Sequence, residues 1–485
     1  MNRKIIFHML GQILKLEAAI MVLPLVCSLI YREFDVAVVF LITIAIALAL
    51  GLALIFINKS HDKTFFAKEG FVIVGLCWII ISAVGALPFS ISGEIPNYID
   101  AFFETVSGFT TTGASILNDV ESMSKGLLFW RSATHWVGGM GVLVLIVSIL
   151  PTDSGRSMHI LRAEMPGHSS GKFTTRLRTM TKILYSIYTG LTLLQILLLV
   201  CGGMPLFDSI LHAFGTAGTG GFGIKADSIA SYSPYCQWVI TVFMLIFGVN
   251  FNIYYLILFG RIRAALKSEE LWIYLALFGV SSGIITANIL KTTESFGEAL
   301  RLATFQVSTI MSTTGFATAD YDLWPNLSKG IILILMFFGA CAGSTAGGFK
   351  ISRVIILVKR IFISIKQMIY PRSIVSLRFE GKVTDNDTVS GVLVYLAVYC
   401  FCFIIILFLL LLEPFDLETN ISAVAACFNN VGPGLSLVGP SANYSIYSPF
   451  SKLLLSGAML LGRLEIFPLL VLFSPSVWIR KRAKS

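Results

Sequence analysis

An apolar run too short to cross a bilayer, Asp100–Phe109, stands between two runs that are long enough. It leads into the turn Phe109-Thr110-Thr111-Thr112-Gly113-Ala114. A helical span needs about 20 residues. In lipid every backbone N–H and C=O must find a partner. A half-length run therefore has to enter and return, and its turn is tolerated only inside protein or beside a water-filled cavity. The arrangement recurs. The later turns are Gly218-Thr219-Gly220-Gly221-Phe222, Ser312-Thr313-Thr314-Gly315-Phe316 and Asn429-Asn430-Val431-Gly432-Pro433. Counted on Gly113, Gly221, Gly315 and Gly432, the period is roughly 100 residues, and self-similarity of this kind constrains the whole fold. Asp100 and Asp208 each stand 13 residues before their glycine, so the register of the unit is kept.

The rest of the chain suits such a plan. It is 56% hydrophobic and 13% charged, against about 25% charged residues in a soluble domain, and its mean hydropathy is +0.82. That excludes a set of soluble domains and predicts a polytopic membrane protein bathed in membrane lipids. The first apolar run, Met9–Tyr31, is too long for a signal-peptide core and has no small-residue cleavage site. The net charge of +9 is not a nucleic-acid footprint, because the lysines and arginines cluster in alternate loops. These are Asn58–Glu69, Pro151–Lys182, Arg261–Lys267, Lys359–Lys382 and the tail Arg480–Lys484. They are expected on the cytoplasmic side, with both termini. The acidic loops, with Asp100, Glu104, Asp208, Glu298, Asp416 and Glu418, are expected outside with all four turns. The eight cysteines show no CxxC and no Cys/His ligand spacing, and read as small buried apolar residues.

The expected fold is all-α. An N-terminal two-helix hairpin (1–58) precedes four pseudo-repeats of span, re-entrant loop and span: 59–150, 151–260, 261–360 with a broken inner helix, and 361–485 with the tail. The total is about ten spans around one pore. In the third return span the stretch Gly339-Ala340-Cys341-Ala342-Gly343-Ser344-Thr345-Ala346-Gly347-Gly348 interrupts the helix, since each interior glycine costs about 1 kcal/mol.

Four convergent turns can replace the hydration shell of a cation with carbonyl oxygens. Glycine supplies the backbone angles that other residues avoid. The threonines Thr110, Thr111, Thr112, Thr313 and Thr314 add hydroxyl oxygens or tie the turns to their surroundings. The short helices aim their partially negative C-terminal ends at the pore, and acidic outer loops raise the local cation concentration. Other motifs carry less. Gly215–Gly223 lacks the βαβ setting of a dinucleotide loop, and in Gly343–Lys350 Phe349 separates the last glycine from Lys350, which breaks the phosphate-loop pattern. No catalytic or metal-ligand constellation is present, and the chain does not read as an enzyme. His135 and His212 read as hydrogen-bonded packing residues. Gly462-Arg463-Leu464-Glu465 places charge inside an apolar span, which marks a functional candidate. Either it forms an ion pair with another helix, or Arg463 lies below the turns, opposes cation passage and acts with the glycine-rich break as a gate.

The fourfold plan, the turn motifs, the glycine-rich break and Gly-Arg-Leu-Glu resemble the Trk/Ktr/HKT superfamily of potassium transporters. The two-span N-terminal unit and Arg162-Ala163-Glu164-Met165-Pro166-Gly167 narrow the resemblance to the membrane-subunit family (TrkH/TrkG type) of the bacterial Trk system. The resemblance implies a potassium filter of Thr111, Thr112, Gly113, Gly220, Gly221, Thr314, Gly315, Asn430, Val431 and Gly432. It implies a gate of Gly343, Gly347, Gly348, Lys350, Arg463 and Glu465. It also implies a homodimer in the bacterial inner membrane and a cytoplasmic TrkA-type regulatory subunit that binds NAD and ATP. Potassium is then the transported ion, with no organic cofactor in this chain. Gly113 at the first filter position goes with potassium over sodium. A symporter coupling potassium to sodium or protons is the rival, since broken spans also occur in such transporters.

Overall fold

The computed structural model describes residues 2–58, 67–141, 174–373 and 375–475. Outside them lie most of the basic segment after the N-terminal hairpin, the second half of the first return span, the loop containing Arg162–Gly167, and the basic tail.

Two antiparallel helical arms open the chain: α1 (Arg3–Ile20) running almost directly into α2 (Val22–Ile30), and α3 (Phe34–Ile57). They cross at Gly11 and Gly51, where the first side-chain carbon of either residue would sit 2.6 or 2.9 Å from the other's carbonyl oxygen. Close backbone approach through small residues is how helices associate in lipid.

The first unit comprises α4 (Ala67–Gly85), α5 (Leu87–Ile91), α6 (Tyr98–Phe109) and α7 (Lys125–Gly139). The second comprises α8 (Thr174–Cys201), α9 (Leu206–Gly218), α10 (Pro234–Gly248) and α11 (Phe251–Leu258), with the single turn α12 (Ile262–Ala265) after it. The third comprises α13 (Glu269–Ile289), α14 (Phe296–Met311), α15 (Asn326–Phe337) and α16 (Ile351–Ile369). A two-stranded hairpin, β1 (Arg378–Phe379) and β2 (Lys382–Val383), leads to α17 (Asn386–Leu410), α18 (Leu417–Phe428), α19 (Pro449–Arg463) and α20 (Phe467–Phe473). Among the described residues six helical segments are long and apolar enough to cross a membrane. In α3 and α17 only 28% of the apolar window is buried inside the protein. The remaining leucine and isoleucine surface faces outward, as lipid requires.

The short helices α6, α9, α14 and α18 pack in rotation. α9 lies against α7 and α10, α14 against α10 and α15, α18 against α15 and α19, and α6 against α19 and α7. Each thus sits between its own return helix and that of the preceding unit, and the sequence of contacts closes on itself.

The return spans depart from the sequence expectation. The third breaks between Phe337 and Ile351, as its glycines predict. The second and fourth, expected to be unbroken within 151–260 and 361–485, are broken too. α10 and α11 meet at 90°, across Gly248, Val249 and Asn250, with the Asn250 side chain accepting from Asn252 N–H. α19 stops at Arg463. Glu465 and Ile466 then take left-handed angles (φ 52° and 68°), and the Phe467 N–H closes a tight turn onto the Glu465 carbonyl at 2.8 Å. A γ-turn with positive φ at a β-branched residue is strained. The first return helix, α7, ends at Gly139, with Gly141 at φ 80°. Cys201 and Cys400 are exposed rather than buried. Both lie on outward-facing helices, where a thiol sits in the same apolar setting.

Candidate ion-binding ring and the loop beneath it

Each short helix ends in the same way. The N–H of Thr112 reaches Ser107 O, Gly220 reaches Gly215 O, Thr314 reaches Thr309 O and Val431 reaches Ala426 O, all at 2.8 or 2.9 Å. The residue before each donor is left-handed: Thr111, Thr219, Thr313 and Asn430, with φ between 54° and 55°. This is a Schellman stop, which normally uses glycine or asparagine at that position. Three threonines there are backbone outliers of the kind that concentrate at functional sites. Two residues on, Gly113, Gly221, Gly315 and Gly432 have φ of 82°, 73°, 87° and 99°.

The four turns interlock. A methyl placed on Gly113 would overlap the Gly220 carbonyl oxygen, one on Gly221 that of Thr314, one on Gly315 that of Val431, and one on Gly432 that of Thr112. The carbonyls preceding the four glycines therefore form a closed ring, each oxygen against the bare Cα of its neighbour. Gly113, Gly221, Gly315 and Gly432 all line one open cavity of about 190 Å³. The groups that meet at this junction are carbonyl oxygens against glycine α-carbons, a donor set suited to a monovalent cation rather than a soft metal. Among the described residues no cluster of His, Cys, Asp or Glu could hold a metal ion.

Most of the predicted hydroxyls brace the ring. Thr112 Oγ1 meets Thr110 Oγ1 at 2.8 Å and accepts from Asn430 Nδ2 at 2.9 Å. Thr314 Oγ1 meets Ser312 Oγ at 2.7 Å. Thr111 Oγ1 is buried without a protein partner. His135 joins two turns: its Nδ1 lies 2.8 Å from Gly108 O, and Phe222 N–H donates to its Nε2 at 3.3 Å. Those partners require the proton on Nδ1, so the ring is a hydrogen-bonded packing element as read. His212, next to Tyr232 OH at 3.3 Å, is another.

Glu104 corrects the charge map. Grouped with the outer acidic loops, it is in fact only 1% exposed and pairs with Arg131 at 2.6 Å. It also accepts from Ser115 Oγ at 3.0 Å and Ile116 N–H at 2.9 Å, just after Gly113. Arg131 reaches on to Gly223 O at 2.8 Å and lies over the Phe222 ring at 3.5 Å. The pair thus ties the first turn to the second. Sequence reasoning missed it, although an arginine in the middle of α7 is the signal that would have raised it. The other acids are similarly employed. Asp100 pairs with Lys452 at 2.8 Å, Asp208 accepts from Tyr232 at 2.8 Å, and Asp416 caps α18. Among the described residues the charged groups lining the cavity at the ring are Arg131 and Lys225, not an acidic funnel.

Below the ring the glycine-rich segment folds back as a loop. Phe338 and Phe349 bridge its ends. Gly347 N–H donates to Thr313 Oγ1 at 2.7 Å, and a side chain on Gly347 would meet Asn429 O and Asn430. Cys341 N–H donates to Gly248 O at 3.1 Å, and Gly343 O accepts from Phe251 N–H at 3.0 Å, at the break in the second return span. Lys350 Nζ turns back onto the Ala346 and Gly347 carbonyls. Arg463 donates to Thr345 O at 2.7 Å and to Gly138 O and Gly139 O at 2.5 and 2.7 Å, capping the end of α7. Glu465 instead pairs with Arg353, whose guanidinium lies over Tyr395 at 4.1 Å. Of the two charges of Gly-Arg-Leu-Glu, Glu465 makes an ion pair with another helix and Arg463 bonds to the loop.

A family model described as TrkH, cation transport protein, matches residues 37–279 and 284–481. The chain is 35% identical to the Trk system potassium uptake protein TrkH of Salmonella typhimurium, over 99% of this chain and 100% of that one. It is 32% identical to the Trk system potassium uptake protein TrkG of Escherichia coli, over 98% of each. The crystal structure of the potassium transporter TrkH from Vibrio parahaemolyticus superimposes with a TM-score of 0.88 at 31% identity, covering 99% of this chain and 100% of that one. With its membrane-length helices and a match of this extent, the chain is an integral membrane protein and belongs to the TrkH family of cation transport proteins.

Proposed function

We propose that the protein takes up potassium through a single pore, with the four carbonyls of Thr112, Gly220, Thr314 and Val431 as the core of its selectivity filter. The observation that carries this is the closure of the ring, in which every glycine lies against the carbonyl of the next turn. Thr111, Gly113, Gly221, Gly315, Asn430 and Gly432 complete the filter by setting the backbone that aims those oxygens. Counting each broken return helix as one span, the pore is four units (59–150, 151–260, 261–360 and 361–485) behind the hairpin 1–58, with ten spans in all. The loop through Gly343, Gly347 and Gly348, held by Lys350 and Arg463, is the gate. The ring faces outward and both termini face the cytoplasm of the bacterial inner membrane. The protein works as a homodimer with a TrkA-type subunit that binds NAD and ATP, in keeping with relatives named as members of a Trk system. Those relatives are named as transport proteins, which supports a transporter rather than an enzyme.

The test is tracer uptake into proteoliposomes with a potassium gradient alone. Potassium-selective uptake is expected without sodium and without a pH gradient. A requirement for either gradient replaces the pore with a symporter.

A further inference from the structure

The loop is also held from a side that the filter and Arg463 do not touch. Glu270, at the start of α13, is 4% exposed. Its Oε1 accepts from Ala342 N–H at 2.7 Å and from Ser352 N–H at 3.1 Å. One carboxylate oxygen therefore grips the loop on both sides of Gly343, Gly347 and Gly348, and caps the N-terminus of α16 where the helix dipole favours negative charge.

Glu270 is itself positioned from the hairpin. The carboxylate of Glu380 accepts from Ser268 Oγ at 2.9 Å and from Glu270 N–H at 3.0 Å. Glu380 and Gly381 are the two turn residues between the paired Phe379 and Lys382, with φ of 50° and 73°. Such a two-residue turn favours Asn-Gly. Glutamate is a poor choice for the left-handed angle, and backbone strain at a non-glycine position points to a role beyond the turn. Here the longer side chain is what spans to α13. A second link runs alongside: Lys359 of α16 pairs with Glu269 at 2.5 Å and donates to Arg378 O at 2.9 Å. Hairpin, α13 start and loop are thus joined by a continuous chain of charged hydrogen bonds.

We infer that Glu270 is the latch of the loop, and that Glu380 connects it to the exposed hairpin, so that displacing the hairpin frees the loop. This rests on the reading of the loop as the gate. Glu270 is a positioning residue, since it touches the loop and not the ion path.

The test is tracer-rubidium uptake by full-length protein in proteoliposomes, with hydrogen exchange over 339–352 as an independent readout. Glu270→Ala is expected to raise unstimulated uptake about tenfold, equivalent to about 1.4 kcal/mol, at an unchanged potassium-to-sodium ratio, and to speed exchange in the loop. Glu270→Gln keeps an acceptor oxygen and should stay nearer the wild type. Glu380→Asn suits the turn but is too short to reach α13. It should raise uptake like Glu270→Ala, and the double variant should add nothing further. Folded Glu270→Ala protein with unchanged uptake and exchange overturns the latch. Unchanged uptake in Glu380→Asn overturns the connection to the hairpin. If the wild type shows no selective uptake, the transport reading fails instead, and loop exchange alone decides the latch: faster exchange in Glu270→Ala upholds it and unchanged exchange overturns it.

Discussion

At the scale of single residues the ring is governed by what is absent from four α-carbons. Gly113 has φ 82° and no room for a methyl beside Gly220 O. A side chain there adds about 1–2 kcal/mol of backbone strain as well as overlap. Gly113→Ser is expected to lower the potassium-to-sodium permeability ratio by about tenfold, a loss of about 1.4 kcal/mol, measured from reversal potentials or paired tracer fluxes. An unchanged ratio removes Gly113 from the filter. The buried pair Arg131–Glu104 is a second residue-scale case. Arg131→Met strands a carboxylate in an apolar interior, which costs about 3–5 kcal/mol. The thermal midpoint in detergent should fall accordingly, and Glu104→Gln in the same chain should restore much of it. If the double variant is no better than the single, charge is not what the pair contributes. The sequence made the glycines legible, because half-length apolar runs have few ways to exist in lipid. Glu104 was not legible. Its partner lies 27 residues away on another helix, and an acid in a run too short to span reads as an outer-loop charge until the fold buries it.

At the scale of elements, the short helices are shaped at both ends. Their first turns carry Asp100, Asp208, Glu298 and Glu418, favourable against the helix dipole, and their last turns share one stop. Asp416 caps α18 and accepts from the Thr419 hydroxyl at 2.5 Å and the Thr419 N–H at 3.1 Å. The Thr419 hydrogen bond holds its carboxyl below the usual aspartate range. A carboxyl lowered in the folded state gives its full stabilisation above the ordinary value of about 3.9, and loses it as the pH falls through the lowered value. Asp416→Asn retains a cap but cannot titrate, so the acid limb of thermal midpoint against pH should flatten. An identical limb assigns the acid sensitivity to other groups. The break in the second return helix escaped sequence reasoning because hydropathy stays high across it, and the one in the fourth because the charges of Gly-Arg-Leu-Glu were read as a site inside a continuous span. Only Gly248-Val249-Asn250 and the left-handed Glu465-Ile466 mark where the helix stops. Arg463 belongs to this scale, since it joins the ends of α7 and α19 to the loop. Arg463→Ala removes charged hydrogen bonds worth about 1.5–3 kcal/mol each and should raise basal uptake several-fold. Loss of folded protein instead would make Arg463 a structural brace.

For the whole molecule, the rotational packing means that each short helix borrows a wall from the unit before it, and among the described residues the loop at 339–348 bonds or packs directly onto the second, third and fourth units. Arg463 links the loop to the first unit through Thr345, Gly138 and Gly139. Deleting 343–348 should therefore leave the ring and its ion preference in place while uptake becomes less responsive to the proposed cytoplasmic partner. A folded deletion variant that keeps full control moves the gate elsewhere. The ring itself has a further consequence. Because every missing methyl is filled by the next turn's oxygen, the aperture behaves like a hoop of four staves, each setting the position of the one beside it. No stave can be widened alone. A change at one corner is passed around the circuit and shared by all four oxygens. Damage at any of the four glycines should thus blunt ion discrimination in much the same manner, even though the four turns differ in sequence.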